Sequence, residues 1–381
     1  MNAPALSDHI HREPTAAAWS APELAVIVPT FNEAGNIELL YSSLSTALAG
    51  LHWELIVVDD NSPDGTAEVV KALSRRYPNV RGIRRVGRRG LSSACIEGIS
   101  ATAAPFVAVM DADHQHDERI LPQMLEHAKT GAELVVGSRF SGDGSAADGL
   151  SSTRLRGSQF ATRLSALVTG EQISDPMSGF FLLRRDLFDA VAPRLSSDGF
   201  KILLDLIVTA NRSGHTLRIA EVPYTFRPRA NGESKMSALV VLQFLGLVFS
   251  KLTGGLLPAS FLLFGLVGSL GVVVHMTVLW FAGSQLGFGF VAAQVTATVV
   301  AMTFNFVLNN ELTYANKKLR GGRYLTGLLT FYAVCSIGAL ANVSVANWIY
   351  TLDSQFYVAG LAGVLMSVVF NYSVTKVFTW R

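Results

Sequence analysis

The chain has 381 residues, of which 50% are hydrophobic and 16% are charged, and its mean hydropathy is +0.35. This length predicts more than one domain, and this hydropathy is high for a purely soluble protein. A net charge of +2 argues against nucleic acid as a partner, and two cysteines, Cys95 and Cys335, argue against a disulfide framework or a thiolate metal site.

The charged residues divide the chain into a front part and a tail. Only eight of them follow position 256, whereas the front part has the mixed composition of a globular domain with its own core. The first twenty residues lack the apolar core of a secretory signal, so we expect them to stay in the cytoplasm. We predict a disordered N-terminal tail over 1–22, a cytosolic domain over 23–234, an interfacial helix linker over 235–257 and a four-helix transmembrane domain over 258–381.

The front part alternates between apolar runs of strand length and segments whose apolar residues have helical spacing. Such alternation predicts βαβ units, with ligand-binding groups on the loops that follow the carboxyl ends of the strands. The predicted strands run from Leu24 to Thr30, Glu54 to Asp60, Phe106 to Met110 and Glu133 to Gly137, and the predicted helices from Asn36 to Ala49, Thr66 to Tyr77 and Thr153 to Thr169.

Acidic residues follow two of these strands. Asp111 and Asp113 come directly after a buried strand, and two carboxylates at this spacing can hold a divalent cation together with a diphosphate. Gln115 offers a further oxygen. Asp59 and Asp60 close another strand, where they could accept hydrogen bonds from a base or a ribose. The alternatives are a solvated acidic turn for the first cluster and a helix N-cap with a turn for the second.

The tail contains four apolar segments, each close to the length of about 20 residues that a helix needs to cross the hydrocarbon layer. The run from Lys235 to Leu257 is interrupted by polar residues, so we predict that it lies in the membrane interface instead. The four segments run from Ala259 to Phe281, Phe288 to Leu308, Tyr324 to Tyr350 and Phe356 to Thr375.

Lysine and arginine residues predict the orientation of the tail in the membrane. The connection between the second and third segments and the end of the chain are basic, and the other two connections carry neither residue type. Because positive charge stays on the cytoplasmic side, we expect both termini and the front domain in the cytoplasm and the tail in the cell inner membrane. The basic residues are Lys317, Lys318, Arg320, Arg323, Lys376 and Arg381.

Polar and small residues within the apolar segments have two interpretations. Polar groups in spans usually face other helices, so we predict packing, against the alternative of a path for lipid headgroups. The small residues Gly265, Gly268, Gly360 and Gly363 likewise predict close helix contacts. The polar residues are Asn305, Asn309, Asn310, Asn342, Asn347, Asn371 and His275.

Short motifs occur in a fixed order across residues 24–236. With this set the chain resembles the family 2 glycosyltransferases, and within them the dolichyl-phosphate (polyprenyl-phosphate) mannose synthases. The tail is similar to the membrane module of bacterial O-antigen glucosylation proteins. The motifs are Ile27 to Glu33, Val57 to Thr66, Gly90 to Ala94, Asp111 to His116, Gly137 to Arg139, Asp175 to Phe181, Gly199 to Ile202 and Phe226 to Lys235.

The resemblance implies a GT-A fold, a Rossmann-like α/β domain, over 23–234, and a role for each matching residue. The residues that would bind the nucleotide sugar are Pro29, Phe31, Glu33, Val58, Asp60, Asp111, Ala112, Asp113, Gln115 and Lys201. Asp111, Asp113 and Gln115 would bind Mg²⁺ or Mn²⁺. The acceptor phosphate would meet Arg139, Arg154, Ser158 and Arg229, and the catalytic group would be Asp113, Arg139, Arg229 and Lys235.

Several of these assignments have alternatives. Arg139 and Arg229 could be surface ion-pair partners, and Arg156 could replace Arg154. Asp175 is either a catalytic helper or a turn residue before Pro176. Two residues of the predicted site depart from the family pattern. Phe31 stands where many relatives have Tyr, and His114 stands where Leu is commoner. The histidines are expected to point away from the cation, because Mg²⁺ and Mn²⁺ favour oxygen ligands.

The implied activity is an inverting, metal-dependent transfer of mannose from GDP-mannose to a polyprenyl (dolichyl) phosphate at the bilayer. The acceptor phosphate is already an anion, so this chemistry needs positioned charge more than a strong base. The nearest alternative keeps the reaction and changes the donor to UDP-glucose or another nucleotide sugar. A second alternative is a lipid-linked sugar carrier, and a third, for the tail alone, is a membrane anchor.

Overall fold

A computed structural model describes residues 21–142, 173–195, 202–227, 259–314, 317–353 and 356–380. The chain divides into two compact units, the first made of 1–86, 92–197 and 202–232, and the second of 233–381 with 87–91 and 198–201. Most of the predicted N-terminal tail and all of the predicted linker lie outside the described residues. The predicted helix from Thr153 to Thr169 lies outside them as well.

The first unit contains a seven-stranded sheet in the order β3-β2-β1-β4-β6-β5-β7. All neighbouring pairs are parallel except those that involve β6, which runs antiparallel to both β4 and β5. The strands are β1 (Leu24–Thr30), β2 (Trp53–Asp59), β3 (Val80–Arg84), β4 (Phe106–Val109), β5 (Leu134–Ser138), β6 (Phe181–Arg184) and β7 (Ile219–Pro223).

Helices connect and cover these strands. Their apolar faces pack on the sheet, and this burial explains why β1 and β2 are buried along their whole length and consist mainly of apolar residues. The helices of this unit are α1 (Ile37–Ala47), α2 (Thr66–Arg76), α3 (Leu91–Ser100), α4 (Leu121–Lys129), α5 (Arg185–Val191) and α6 (Ile202–Arg212), with short 3₁₀ turns at Glu118–Ile120 and Ala192–Arg194.

The predicted GT-A type α/β sheet is confirmed, and the four strands predicted from the sequence agree with the structure to within one residue at each end. The antiparallel strand β6 was not predicted. It places Phe181 opposite Val109 of β4 and Val136 of β5. Because β6 runs in the opposite direction, the segment before it reaches the edge of the sheet where β4 and β5 end. This reversal brings residues 173–180 beside the loops that follow those two strands.

The second unit is helical. Among the described residues, three helices are long and apolar enough to cross a membrane, namely Ser260–Ser284, Phe290–Thr313 and Gly322–Ile349, and a shorter apolar helix covers Leu365–Phe378. The predicted count of four crossings therefore stays a prediction. The helices are α7 (Ala259–Ser284), α8 (Phe290–Leu308), which continues into a π-helical turn at Asn309–Thr313, α9 (Gly322–Asp353) and α10 (Phe356–Phe378).

These four helices form two hairpins, α7 with α8 and α9 with α10, and the hairpins meet through α8 with α9 and through α7 with α10. In the first, a Cβ atom added to Gly271 would overlap the side-chain amide of Asn305. In the second, a Cβ atom on Gly338 would overlap the amide of Asn371. The Oδ1 atoms of both asparagines are buried and have no hydrogen-bond partner among the described residues. Each hairpin is thus closed by a glycine that lies directly against an asparagine.

The predicted packing role for intramembrane asparagines stays a prediction, although this contact supports it for Asn305 and Asn371. The predicted close contacts at Gly265 and Gly268 are wrong in position. A Cβ atom on either glycine would meet no described atom within 4 Å. The close approach occurs at Gly271 instead, one to two helical turns further along α7. Helical spacing by itself does not reveal which glycine faces the neighbouring helix.

An aromatic cluster joins the end of α8 to the end of the chain. The Trp380 side chain is fully buried, and its ring stacks on Tyr314 with 4.2 Å between the ring centroids. The indole Nε1–H of Trp380 donates a hydrogen bond to Oδ1 of Asn310, with a distance of 3.0 Å. The same Oδ1 accepts a hydrogen bond from the backbone N–H of Leu319, at 2.8 Å. Asn310 therefore fixes the connection to α9 and the C-terminal tryptophan at once.

Candidate active site

The candidate site lies at the edge of the sheet where β1, β2, β4 and β5 end. In the register of the sheet, Pro29 lies beside Val58 and Thr30 beside Asp59. Because parallel strands end at the same edge, the polar residues that follow them come together there. Pro29, Val58 and Ala112 are buried, so they can shape a nucleotide-binding surface through backbone and packing. Phe31 is half-buried.

The loop after β1 is held by the loop after β2. The Ser62 hydroxyl donates a hydrogen bond to Asp59 Oδ1 at 2.5 Å and accepts one from the backbone N–H of Asn32 at 2.9 Å. Thr66 Oγ1 accepts a hydrogen bond from the backbone N–H of Glu33, at 3.1 Å. Asn32 has a left-handed backbone with φ of 60°, which an asparagine tolerates better than most residues. The Asp59 carboxylate thus accepts hydrogen bonds from Ser62, three residues further along, as the turn interpretation of this acidic cluster predicted.

Asp60, in contrast, is bound by a buried arginine that the sequence did not reveal. The Arg85 side chain is 1% exposed, and its Nη1 atom lies 2.6 Å from Oδ1 of Asp60. Its other nitrogens donate hydrogen bonds to Glu97 Oε1 at 3.2 Å and to Ser93 Oγ at 2.5 Å. A planar guanidinium with several fixed donors can serve such a set of acceptors. Arg85 thus connects the end of β2 to α3.

We expect the substitution Arg85→Lys to lower the free energy of unfolding by about 1–2 kcal/mol, because one ammonium cannot reach all three acceptors and leaves a buried acceptor without a partner. Thermal unfolding of the full chain measures the loss. Arg84→Lys is the matched control, since the neighbouring Arg84 side chain is 50% exposed. Equal effects of the two substitutions would contradict the role of Arg85.

The loop after β4 carries the two predicted metal-binding carboxylates. Asp113 is buried, and its Oδ1 atom accepts a hydrogen bond from the backbone N–H of Gln115, at 3.2 Å. The amide Nε2 of Gln115 donates to the carbonyl oxygen of Arg227 at 3.1 Å. This bond directs the amide nitrogen into the protein and leaves Oε1 as the side-chain atom suited to a cation. The Asp111 side chain is 44% exposed and accessible from solvent.

The chemistry of this loop fits a divalent cation. Among the described residues there is no group of three or more His, Cys, Asp or Glu side chains that could hold a metal alone. Mg²⁺ typically keeps several waters and binds one or two carboxylates together with substrate phosphates, and Mn²⁺ shares its preference for oxygen ligands. Asp111, Asp113 and the amide oxygen of Gln115 supply such a partial set. A Cβ atom on Gly179 would come within 3.1 Å of Asp111 Oδ2, so the glycine keeps this carboxylate uncrowded.

Arg139, directly after β5, is held by Asp175. Arg139 Nε lies 2.6 Å from Asp175 Oδ2, and Arg139 Nη2 lies 2.8 Å from Oδ1, so the pair is bidentate. Burial by itself disfavours the charged guanidinium, but the hydrogen bonds and charge of Asp175 outweigh it and raise the pKa of Arg139. Asp175 is completely buried, and its carbonyl oxygen also accepts a turn hydrogen bond from Ser178 N–H. Asp175 is therefore both a turn residue and the partner of Arg139.

Five of the predicted site residues lie outside the described residues, so their proximity to the site stays a prediction. They are Arg154, Ser158, Lys201, Arg229 and Lys235. Of the two histidines in the loop, His114 turns away from the carboxylates and its Nε2 lies 3.2 Å from the carbonyl oxygen of Asn36. His116, which received no role from the sequence, is buried against the loop.

Comparison with protein-family models finds two matches in the expected order. Residues 25–192 match the model described as glycosyl transferase family 2, and residues 263–380 match the transmembrane domain model described as GtrA/DPMS.

Curated relatives match over more of the chain. A dolichol-phosphate mannosyltransferase from Pyrococcus furiosus is 34% identical over 94% of this chain and 99% of its own length. A protein with the same description from Saccharomyces cerevisiae is 38% identical over 58% of this chain and 84% of its own length. Among solved structures, glucosyl-3-phosphoglycerate synthase from Mycobacterium tuberculosis aligns with a TM-score of 0.47 and 22% identity, over 60% of this chain and 78% of that chain.

Proposed function

The chain belongs to the dolichol-phosphate mannosyltransferases of glycosyl transferase family 2, and from this premise we propose that it transfers mannose from GDP-mannose to a polyprenyl (dolichyl) phosphate. The proposed reaction inverts the sugar and depends on Mg²⁺ or Mn²⁺. The observation that carries the proposal is the meeting, at one edge of the sheet, of the Asp111 and Asp113 carboxylates with the buried Arg139 guanidinium. The Asp111 carboxylate is close enough to contribute to the raised pKa of Arg139.

The proposed division of labour follows from the types of the residues. A bound divalent cation would neutralise charge on the leaving diphosphate, and Asp111, Asp113 and Gln115 would hold it. Arg139 would face phosphate with a fixed charge, and Asp175 holds its guanidinium in one orientation before any substrate binds. Among the described residues Asp175 accepts from Nε and from one N–H of Nη2, so the N–H groups of Nη1 and the second N–H of Nη2 would face a phosphate oxygen. Arg154, Ser158, Arg229 and Lys235 would supply the remaining acceptor contacts.

The nucleoside would bind across the ends of β1 and β2. Pro29, Phe31, Glu33 and Val58 would form its surroundings, with Asp60 held for hydrogen bonding by Arg85. We place both termini and the catalytic unit in the cytoplasm and the helical unit in the cell inner membrane, because the basic residues of the described tail lie at the α8–α9 connection and near the chain end.

The test is a transfer assay with the full-length protein in detergent, polyprenyl phosphate and radiolabelled GDP-mannose or UDP-glucose in parallel, with Mn²⁺ or Mg²⁺. We expect label in the lipid fraction only from GDP-mannose, loss of transfer with EDTA, and recovery when the cation is added back. Transfer only from UDP-glucose would retain the lipid acceptor and reject mannose. Absence of lipid label from both donors, with intact binding of a mannosylated lipid, would favour the carrier.

A further inference from the structure

His116 is a buried titratable side chain for which the proposed reaction has no use. Only 3% of the residue is exposed, and its ring stacks on Phe180 with 5.1 Å between centroids. The rings of Tyr224 and Phe226 close two further sides, at 5.9 Å and 6.0 Å. An aromatic residue would fill this space equally well by packing alone. The presence of an imidazole therefore raises the question of which hydrogen bonds it makes.

Both ring nitrogens of His116 face Asp111. The backbone N–H of Asp111 donates a hydrogen bond to Nδ1, at 3.2 Å. Since Nδ1 accepts, the neutral ring carries its proton on Nε2, which lies 4.0 Å from Asp111 Oδ2. One side chain thus holds the backbone of Asp111 and presents an N–H toward its carboxylate.

The segment before β6 completes this arrangement. A Cβ atom on Gly179 would lie 3.1 Å from Asp111 Oδ2 and 3.5 Å from His116 Cε1, so the carboxylate, the imidazole and the Gly179 backbone are packed together. The next residue, Phe180, provides the stacking surface for His116, and its N–H is fixed by the Ser178 hydroxyl at 3.1 Å. The imidazole that packs against Asp111 is therefore held by Phe180, the residue before β6, as well as by the loop that carries both residues.

We propose that His116, backed by Gly179, is a positioning residue that fixes the direction of the Asp111 carboxylate for a divalent cation. This inference rests on the proposed function, because it takes Asp111 as a metal ligand. Groups that orient a ligating carboxylate reduce the ordering that cation binding requires, and their loss typically costs 10–100-fold in metal affinity. The effect of His116 is therefore expected in cation binding more than in binding of the nucleoside.

The test measures Mn²⁺ binding to the full-length protein in detergent with saturating GDP, by electron paramagnetic resonance of free Mn²⁺. His116→Phe keeps the stacked ring and removes the acceptor, whereas His116→Asn removes the ring and keeps an oxygen close to the position of Nδ1. We expect the phenylalanine variant to raise the Kd for Mn²⁺ about 10–100-fold and the asparagine variant to stay near the wild type. His52→Phe, at an exposed histidine, is the control.

The reverse order of the two variants would show that His116 acts by packing alone and would overturn the inference. Wild-type Mn²⁺ affinity in His116→Phe would overturn it as well, while leaving the proposed function intact. Absence of Mn²⁺ binding by the wild type would instead reject the metal site and the inference together. Gly179→Ala gives an independent test if the histidine variants fail to fold, since its methyl group would displace the Asp111 carboxylate and raise the Kd similarly.

Discussion

Replacing Asp175 by alanine is expected to lower the free energy of unfolding of the catalytic unit by about 3–5 kcal/mol, the cost of leaving a buried charge without its partner. Asp175 is fully buried, and the Arg139 side chain that it binds is 13% exposed. Once the carboxylate is removed, Arg139 stays charged because arginine does not deprotonate in proteins. Transfer activity should fall further than stability, because Arg139 also loses its fixed orientation.

A surface pair in the same unit provides the control for Asp175. Asp186 accepts two hydrogen bonds from Arg184, at 3.1 Å and 2.6 Å, in the same bidentate manner. Its side chain is 64% exposed and that of Arg184 is 36% exposed, so water replaces the lost contacts. We expect Asp186→Ala to cost less than about 1 kcal/mol. Thermal unfolding of the full chain compares the two variants, and similar losses would show that the Asp175 pair is no more important than a surface ion pair.

Adding one methyl group to each helical hairpin is expected to separate its helices. Gly271→Ala and Gly338→Ala each place a Cβ atom where an asparagine amide now lies, and such overpacking costs about 1–3 kcal/mol per site. The sites are in different hairpins and contact different asparagines, so the two losses should add and the double variant should lose about 2–6 kcal/mol. Chemical denaturation of the full chain in detergent, followed by helical circular dichroism, measures this loss.

Two glycines of α7 serve as controls for this prediction. Gly265 and Gly268 have no described atom within 4 Å of an added Cβ atom. Alanine at either position should leave stability unchanged or raise it slightly, because alanine favours a helix more than glycine does. Equal destabilisation at Gly268 and Gly271 would show that the asparagine contact is not what makes Gly271 necessary. A shortened partner, Asn305→Ala, should in turn relieve part of the cost of Gly271→Ala.

The sequence predicted the elements that depend on local patterns. Strand β1 was predicted from Leu24 to Thr30 and is found with those bounds, because a strand buried on both faces appears as a continuous apolar run. The acidic loop at Asp111 and Asp113 was placed correctly for the same reason, since it follows directly after β4. The prediction that this loop binds a divalent cation came from the residue types alone, because paired oxygen ligands favour hard cations, and it stays a prediction.

Partners that are distant in sequence could not be predicted in this way. Arg84 and Arg85 are adjacent and chemically identical, yet Arg84 is half-exposed and Arg85 is buried on Asp60. The difference arises because Arg85, just after β3, also bonds to Ser93 and Glu97 of α3. Asp175 and Arg139 are 36 residues apart, and they meet because β6 enters the sheet in the antiparallel direction. No periodicity within the 173–180 segment encodes that direction.

The sequence by itself determined four of the seven strands, the apolar helices of the tail and the polar residues that follow the strands, because each depends on residues that are neighbours along the chain. Only the tertiary structure decided the order of strands in the sheet, the partners of Asp60, Arg139 and Asp111, and which glycine of α7 faces an asparagine. The physical reason is that a buried charge or a close helix contact is stabilised by atoms brought from elsewhere in the chain.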